Sequence, residues 1–209
     1  MEFNKHINLE GRHALLGASK YQWLNDTEAE VTERVARSYL AEMGTQLHDI
    51  ARKRIKYSVK LKKGDRDSVL VDLLDKGIPR FVIDTVDFDA VYLNLLEYTN
   101  DAIGFRMTPE VVLAYSENCF GTCDAIRFSE AEKELRIHDL KTGVMPAHME
   151  QLMIYAALFC LEYGYKPSQL STELRIYQLN DIAVCEPEAA DIAAIMAKIK
   201  SFDKVIKKL

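Results

Sequence analysis

The order of hydrophobic patterns in this chain predicts an α/β (α+β) core in which a central mixed β-sheet is flanked by helices. Three observations carry that expectation. A long stretch of helical periodicity comes first, three strand-like runs follow it, and a helix, a strand and a helix close the chain. Two of the strand-like runs are joined by Ser129-Glu-Ala-Glu-Lys133, a polar turn that makes them a hairpin.

The elements follow in order. Ser19 stands where a short helix would be N-capped, with Trp23 and Leu24 placed to anchor it in the core. Over 27–58, Val31, Val35, Tyr39, Met43, Leu47 and Ile50 recur every three or four residues and give one long helix or two. Gly44 interrupts that run; a glycine there costs ~1 kcal/mol relative to alanine, so a kink or a close approach is expected. Segment 60–105 opens on a charged turn and reads as helical, near 69–74 and 88–97, and is expected to be an insertion in a single domain spanning 1–209. Strands are expected over 110–115, 119–128 and 134–141, then a loop over 142–146. A helix over 149–163 ends at Gly164, a strand covers 173–179, and an amphipathic helix covers 188–209.

Composition narrows the classes. Hydrophobic residues are 48% of the chain and charged residues 28%, which excludes wholesale disorder and fibrous repeats. The first residues lack the apolar core of a signal peptide, and the most apolar helical run, 152–161, is about half of a bilayer span. A soluble protein of the cytoplasm, with no membrane partner, is therefore expected. The net charge is −5, which does not suggest nucleic acid. Its distribution does more: Arg52, Lys53, Arg54, Lys56, Lys60, Lys62, Lys63 and Arg66 fall within fifteen residues holding one acid, Asp65. A local basic zone can hold a polyanion while acidic stretches, here 67–101, keep the total low.

The hairpin holds the chemistry. Its first strand contains Gly121-Thr122-Cys123-Asp124 and its second Asp139-Leu140-Lys141. Strand alternation puts Asp139 and Lys141 on one face. If Asp124 faces the same way, two carboxylates and an ammonium converge. Carboxylate oxygens suit a hard cation such as Mg²⁺ or Mn²⁺, and the Leu140 backbone carbonyl offers another oxygen. Such a group fits metal-assisted hydrolysis of a phosphodiester, with Lys141 beside the attacking water. A bare Asp-x-Lys pair is more often a solvated ion pair. Two further elements weigh against that. Gln151 and Tyr155 are four apart and share a helix face just after the strand. Upstream, Gly44-Thr45-Gln46-Leu47-His48 offers an imidazole as a metal ligand.

These motifs, GTxxH, then GTxD, then DxK followed by threonine and glycine, then QxxxY, resemble, in their order and on compatible elements, the RecB-like branch of the PD-(D/E)XK nuclease superfamily. Residues 13–24, with Ser19 and Trp23, also resemble the start of phage and prophage proteins of that branch. The resemblance implies a restriction-endonuclease-like core and a divalent-metal-dependent DNA nuclease, a phage-type exonuclease acting in DNA recombination or repair in the host cytoplasm. It implies metal ligands His48, Asp124, Asp139 and the Leu140 carbonyl, Lys141 as the catalytic lysine, and Gln151 and Tyr155 touching the lysine or the scissile phosphate. DNA is the implied partner, with a phage annealing protein or a homo-oligomer as further partners.

There are departures. Many relatives carry a glutamate four residues after the histidine, where this chain has Arg52. Cys119, Cys123, Cys160 and Cys185 do not match the spacing of the iron–sulfur members, so no cluster is expected. Whether Glu110 joins the site stays open, as do endonuclease against exonuclease action and strand preference. The competing expectation is a catalytically silent module on the same fold that binds DNA or a host or phage protein.

Overall fold

The computed structural model describes residues 2–11, 13–143 and 145–209. It is an α+β fold. Five strands, β1 (Thr108–Ser116), β2 (Cys119–Ser129), β3 (Glu134–Leu140), β4 (Ser171–Gln178) and β5 (Asp181–Cys185), form one sheet in that order. All neighbours are antiparallel except β3 and β4, which run parallel. A parallel pair needs a crossover, and the helix α5 (Glu150–Tyr163) supplies it.

Alternation along the strands sorts the core into two layers. Leu140 and Tyr177 turn to one face, where they meet the helices α1 (Glu28–Lys56) and α4 (Phe88–Gly104). Their neighbours Ile137 and Ile176 turn to the other, against α5 and the last helix, α6 (Ala189–Ile206). Segment 60–105 is helical, holding α2 (Arg66–Asp75), α3 (Arg80–Ile83) and α4. It is no appendage: Tyr92, Leu95, Tyr98 and Ala102 of α4 are buried in the same cluster as Met43 and Leu47 of α1.

α1 is one helix rather than two. Thr27 caps it: its hydroxyl accepts the Glu30 N–H at 3.3 Å, and the Glu30 carboxylate accepts the Thr27 N–H at 2.7 Å. Lys53, Arg54 and Lys56 lie in its last turn, where cations favour the carbonyl end. The basic run is partly neutralised within the fold. Arg52 and Lys53 pair with Asp49, and Arg66 pairs with Asp67 and Asp89.

Two expectations at the edges need correction. The segment Ala18–Asn25 is a 3-10 helix that starts after Gly17, so Ser19 lies inside it and caps nothing. Trp23 does tie it down, donating its indole N–H to the Gly17 carbonyl at 3.1 Å, but Leu24 is 69% exposed. A break at Lys20 leaves no continuous apolar face to bury. The other correction is β5, which pattern reading missed. The turn before it, Leu179-Asn180, has both residues at positive φ, 50° and 59°. That is the geometry of a tight hairpin turn, disguised because leucine stands where glycine or asparagine usually signals one. Val144, in the expected loop 142–146, lies outside the described residues. Among the described residues no helix is long and apolar enough to cross a membrane.

α6 is tied to the β1–β2 turn by a buried acid. Asp203 accepts from the Ser116 hydroxyl at 2.6 Å, from the Asn118 amide at 3.1 Å, and pairs with Lys207 at 2.8 Å. Lys207, with those two donors, pulls its carboxyl down to about 2. An acid whose folded pKa lies below its unfolded value stabilises the fold above the unfolded pKa, about 3.9, and loses that contribution as pH falls through the folded one. Urea unfolding of Asp203→Asn should therefore show a weaker fall in stability between about pH 4 and pH 2 than the wild-type chain shows.

Candidate active site

Residues from separate segments meet where β2 and β3 part. The β2–β3 register runs from Ser129↔Glu134 to Ala125↔His138 and stops. The next step would pair Asp124 with Asp139. There the Leu140 N–H donates instead to Asp124 Oδ2, at 2.9 Å, so a side-chain carboxylate stands in for the missing ladder acceptor. The opposite edge of β2 is irregular at the same level. The pairs Pro109↔Ala125 and Val111↔Cys123 flank Glu110, whose φ of +55° is left-handed and costs a residue with a Cβ of order 1–3 kcal/mol. Cys123 and Ile126, three residues apart, join the same core layer while Ala125 joins the other. Regular alternation therefore breaks at Asp124.

That break decides which groups meet. The Asp124 carboxylate is turned toward α1, where His48 Nδ1 lies 3.4 Å from its Oδ2. His48, Glu110 and Asp124 each offer a ligand atom, all within 4.8 Å of one another. These three line a cleft of about 710 Å³ whose walls include Gly44, Arg52 and Thr142. Burial pushes the Asp124 carboxyl up to about 6; His48 pulls it the other way, and Asp139 adds to the rise.

Asp139 keeps the alternation of Leu135 and Ile137, on the α5 side, and is 3% exposed. Lys141 Nζ lies 2.9 Å from its Oδ2, donates to its Oδ1 at 3.2 Å, and donates to Gln151 Oε1 at 2.9 Å. The expected convergence of Asp124, Asp139 and Lys141 on one strand face is thus two adjoining clusters. One is His48, Glu110 and Asp124; the other is Asp139, Lys141 and Gln151. Leu140 links them through its backbone while its side chain is buried. Tyr155 is placed differently from Gln151. Its hydroxyl donates to the Thr122 carbonyl at 2.6 Å, which fastens β2 to α5. His138, beside Asp139, turns to the opposite layer, buried against Phe105 and Tyr177.

The donor set fits a hard dication: two carboxylates and an imidazole gather at the cleft, and the buried Asp139 carboxylate beside it is held by Lys141. Glu110 is the residue whose place the sequence left open. The signal that marks it is its position opposite Asp124 in the β1–β2 register.

Both motif glycines make room for site elements. A Cβ on Gly44 would stand 2.7 Å from Thr142 Oγ1, so the glycine in α1 permits close approach of the loop that follows Lys141. A Cβ on Gly121 would stand 3.0 Å from Tyr155 Cε1. Alanine in a helix gains ~1 kcal/mol over glycine. Gly44→Ala in the wild-type background should forfeit that gain or reverse it. In a Thr142→Ala background, where the hydroxyl is gone, the same change should stabilise by up to about 1 kcal/mol in urea unfolding.

The fold and the cleft define a class, an α+β protein with helices on both faces of a mixed sheet and an acid–imidazole centre at the point where its strands part. The chain belongs to the family DUF2800, described as a protein of unknown function, whose model matches residues 13–180. That span takes in both clusters and stops before β5 and α6. No curated protein matches the chain, and no solved structure matches it.

Proposed function

We propose that this chain is a divalent-metal-dependent deoxyribonuclease of the RecB-like PD-(D/E)XK type, acting by hydrolysis of phosphodiester bonds. The observation that carries the reading is Lys141 Nζ held between the Asp139 carboxylate and Gln151 Oε1, beside the cluster of His48, Glu110 and Asp124. His48, Glu110 and Asp124 would hold Mg²⁺ or Mn²⁺, with Asp139 and the Leu140 carbonyl as further oxygen donors. A cation there supplies Lewis-acid polarisation of a phosphoryl oxygen and a lower pKa for a bound water.

The chain's own groups do the rest. Lys141 offers its ammonium to the attacking water and offsets charge that gathers on the phosphoryl oxygens. Asp139 and Gln151 fix the direction of that ammonium. Tyr155 acts at one remove, by holding β2 against α5. A phage-type exonuclease working beside an annealing protein in the host cytoplasm is the setting that the motif resemblance supports.

Calorimetric titration with Mn²⁺ and a gel assay on circular and linear DNA test the reading together. The wild-type chain should bind Mn²⁺ and cleave DNA; cutting of closed circles would make it an endonuclease, and cutting of linear DNA alone an exonuclease. His48→Ala and Glu110→Gln should each weaken Mn²⁺ binding by at least the ~10–100-fold that losing a group behind a metal ligand costs. Mn²⁺ binding with no cleavage of single- or double-stranded DNA would overturn the catalytic reading. It would leave a silent module that binds DNA or a protein, which the Arg52–Asp49 pair in the cleft wall favours.

A further inference from the structure

The face of the molecule formed by α5 and α6 carries an apolar groove of about 480 Å³ that neither cluster of the candidate active site touches. Its floor is a seam on α6. Ile195, Ile199, Phe202 and Ile206 are spaced four, three and four residues apart, the a/d repeat of a helix that packs along another helix. The seam emerges gradually from the molecule's own core: Ile192 is 1% exposed, Ile195 and Ile199 are half-buried with part of each packed against that core, and Phe202 is 63% and Ile206 47% exposed. Ile154 of α5, 42% exposed, widens the apolar strip. Large apolar side chains arranged in register along one exposed helix mark an association surface.

Charge selects the occupant. α6 is acidic at its start, with Glu188 at the N-cap and Asp191 in the first turn, and basic from its middle onward, with Lys198, Lys200, Lys204 and, just past its end, Lys208; Asp203 is taken up by Lys207. A parallel copy would set like charges beside one another. An antiparallel copy sets each acidic end against a basic end, and does so twice because the pairing is two-fold symmetric. A register that faces Ile199 with Phe202 of the second copy also faces Ile195 with Ile206, and brings Asp191 within a turn of Lys208.

We propose that this groove is the seat of a second copy of the chain, paired through α6 antiparallel to α6. The pairing is independent of the metal-site reading, because none of its residues lines the cleft of His48, Glu110 and Asp124.

Sedimentation velocity of the full chain over a dilution series is the test. The expected result is a reversible dimer, twice the 23.9 kDa of the chain. Phe202→Glu should raise its dissociation constant by about 30-fold or more, the effect of losing a central aromatic anchor. Lys208→Glu should weaken it by a few fold, and Asp191→Lys in the same chain should restore it. That rescue reads the antiparallel pairing even if Phe202→Glu fails to fold. A monomer at every loading overturns the proposal. So does an assembly that Phe202→Glu, correctly folded, leaves intact, or a Lys208→Glu defect that Asp191→Lys deepens.

Discussion

Lys141→Ala is expected to lower Mg²⁺-dependent DNA cleavage by about 10²–10⁴-fold while Mn²⁺ binding at the His48 cluster persists. The two readouts part because the lysine belongs to the second cluster. Its ammonium touches Asp139 and Gln151, and the triad of His48, Glu110 and Asp124 forms without it. The Lys141 backbone keeps its own anchor, the N–H donating to the Tyr177 carbonyl at 2.9 Å, so the end of β3 stays in place. Removing the ammonium leaves the Asp139 carboxylate buried without its counter-charge, which carries a folding cost of its own. Lys141→Arg separates the two losses. It returns a positive charge to Asp139 and with it stability, but a planar guanidinium does not place a single ammonium at the attacking water, so the rate should stay low. Cleavage at the wild-type rate by a folded Lys141→Ala chain would remove the lysine from the chemistry. Parallel measurements of Mn²⁺ affinity, thermal unfolding and turnover on one set of preparations decide it.

Leu47→Ala is expected to lower the unfolding free energy by about 2–5 kcal/mol, and its neighbour His48→Ala by about 0.5 kcal/mol or less. Leu47 is fully buried, packed among Met43, Ile50 and the α4 side chains Tyr92, Leu95 and Tyr98. Truncating it opens a cavity between α1 and α4 that neither rigid helix can collapse to fill. His48, one residue on, points to the cleft with 29% of its side chain exposed. The pair makes a sharp contrast: one substitution should leave a weakly folded chain with an intact metal set, the other a well-folded chain with a depleted one. Urea unfolding and Mn²⁺ calorimetry on both variants read the contrast. A loss above about 2 kcal/mol in His48→Ala would give the histidine a structural role instead.

The α+β architecture was legible in the sequence because its elements carry strong periodic signals. Val35, Met43, Leu47 and Ile50 fix the face of α1, and the polar turn 129–133 fixes the β2–β3 hairpin. β5 was hidden because its turn uses Leu179 at positive φ in place of a residue that announces such a bend. The site was legible in part. The meeting of Gln151 with Lys141 follows from spacing, whereas the placing of His48 beside Asp124 rests on the motif resemblance alone, because 76 residues separate them. The partition into two clusters was not readable, because it rests on a failure of alternation. Period-two reasoning sends Asp124 and Asp139 to a common face, and the left-handed residue at Glu110 with the broken ladder at Asp124 sends them apart. The role of Gly44 was readable only as a choice between a bend and a close contact. The distance to Thr142 decides for contact.

The parallel pairing of β3 with β4 has a consequence for the nascent chain. The meander from β1 to β3 can zip up from local contacts as soon as it leaves the ribosome, but the partner for Lys141 sits on the crossover helix, which is made afterwards, and His48 must dock from far upstream. A half-synthesised chain therefore owns Asp124 and Asp139 without a fixed ammonium. The candidate site is completed as a late event, when strand, crossover and first helix close on one another.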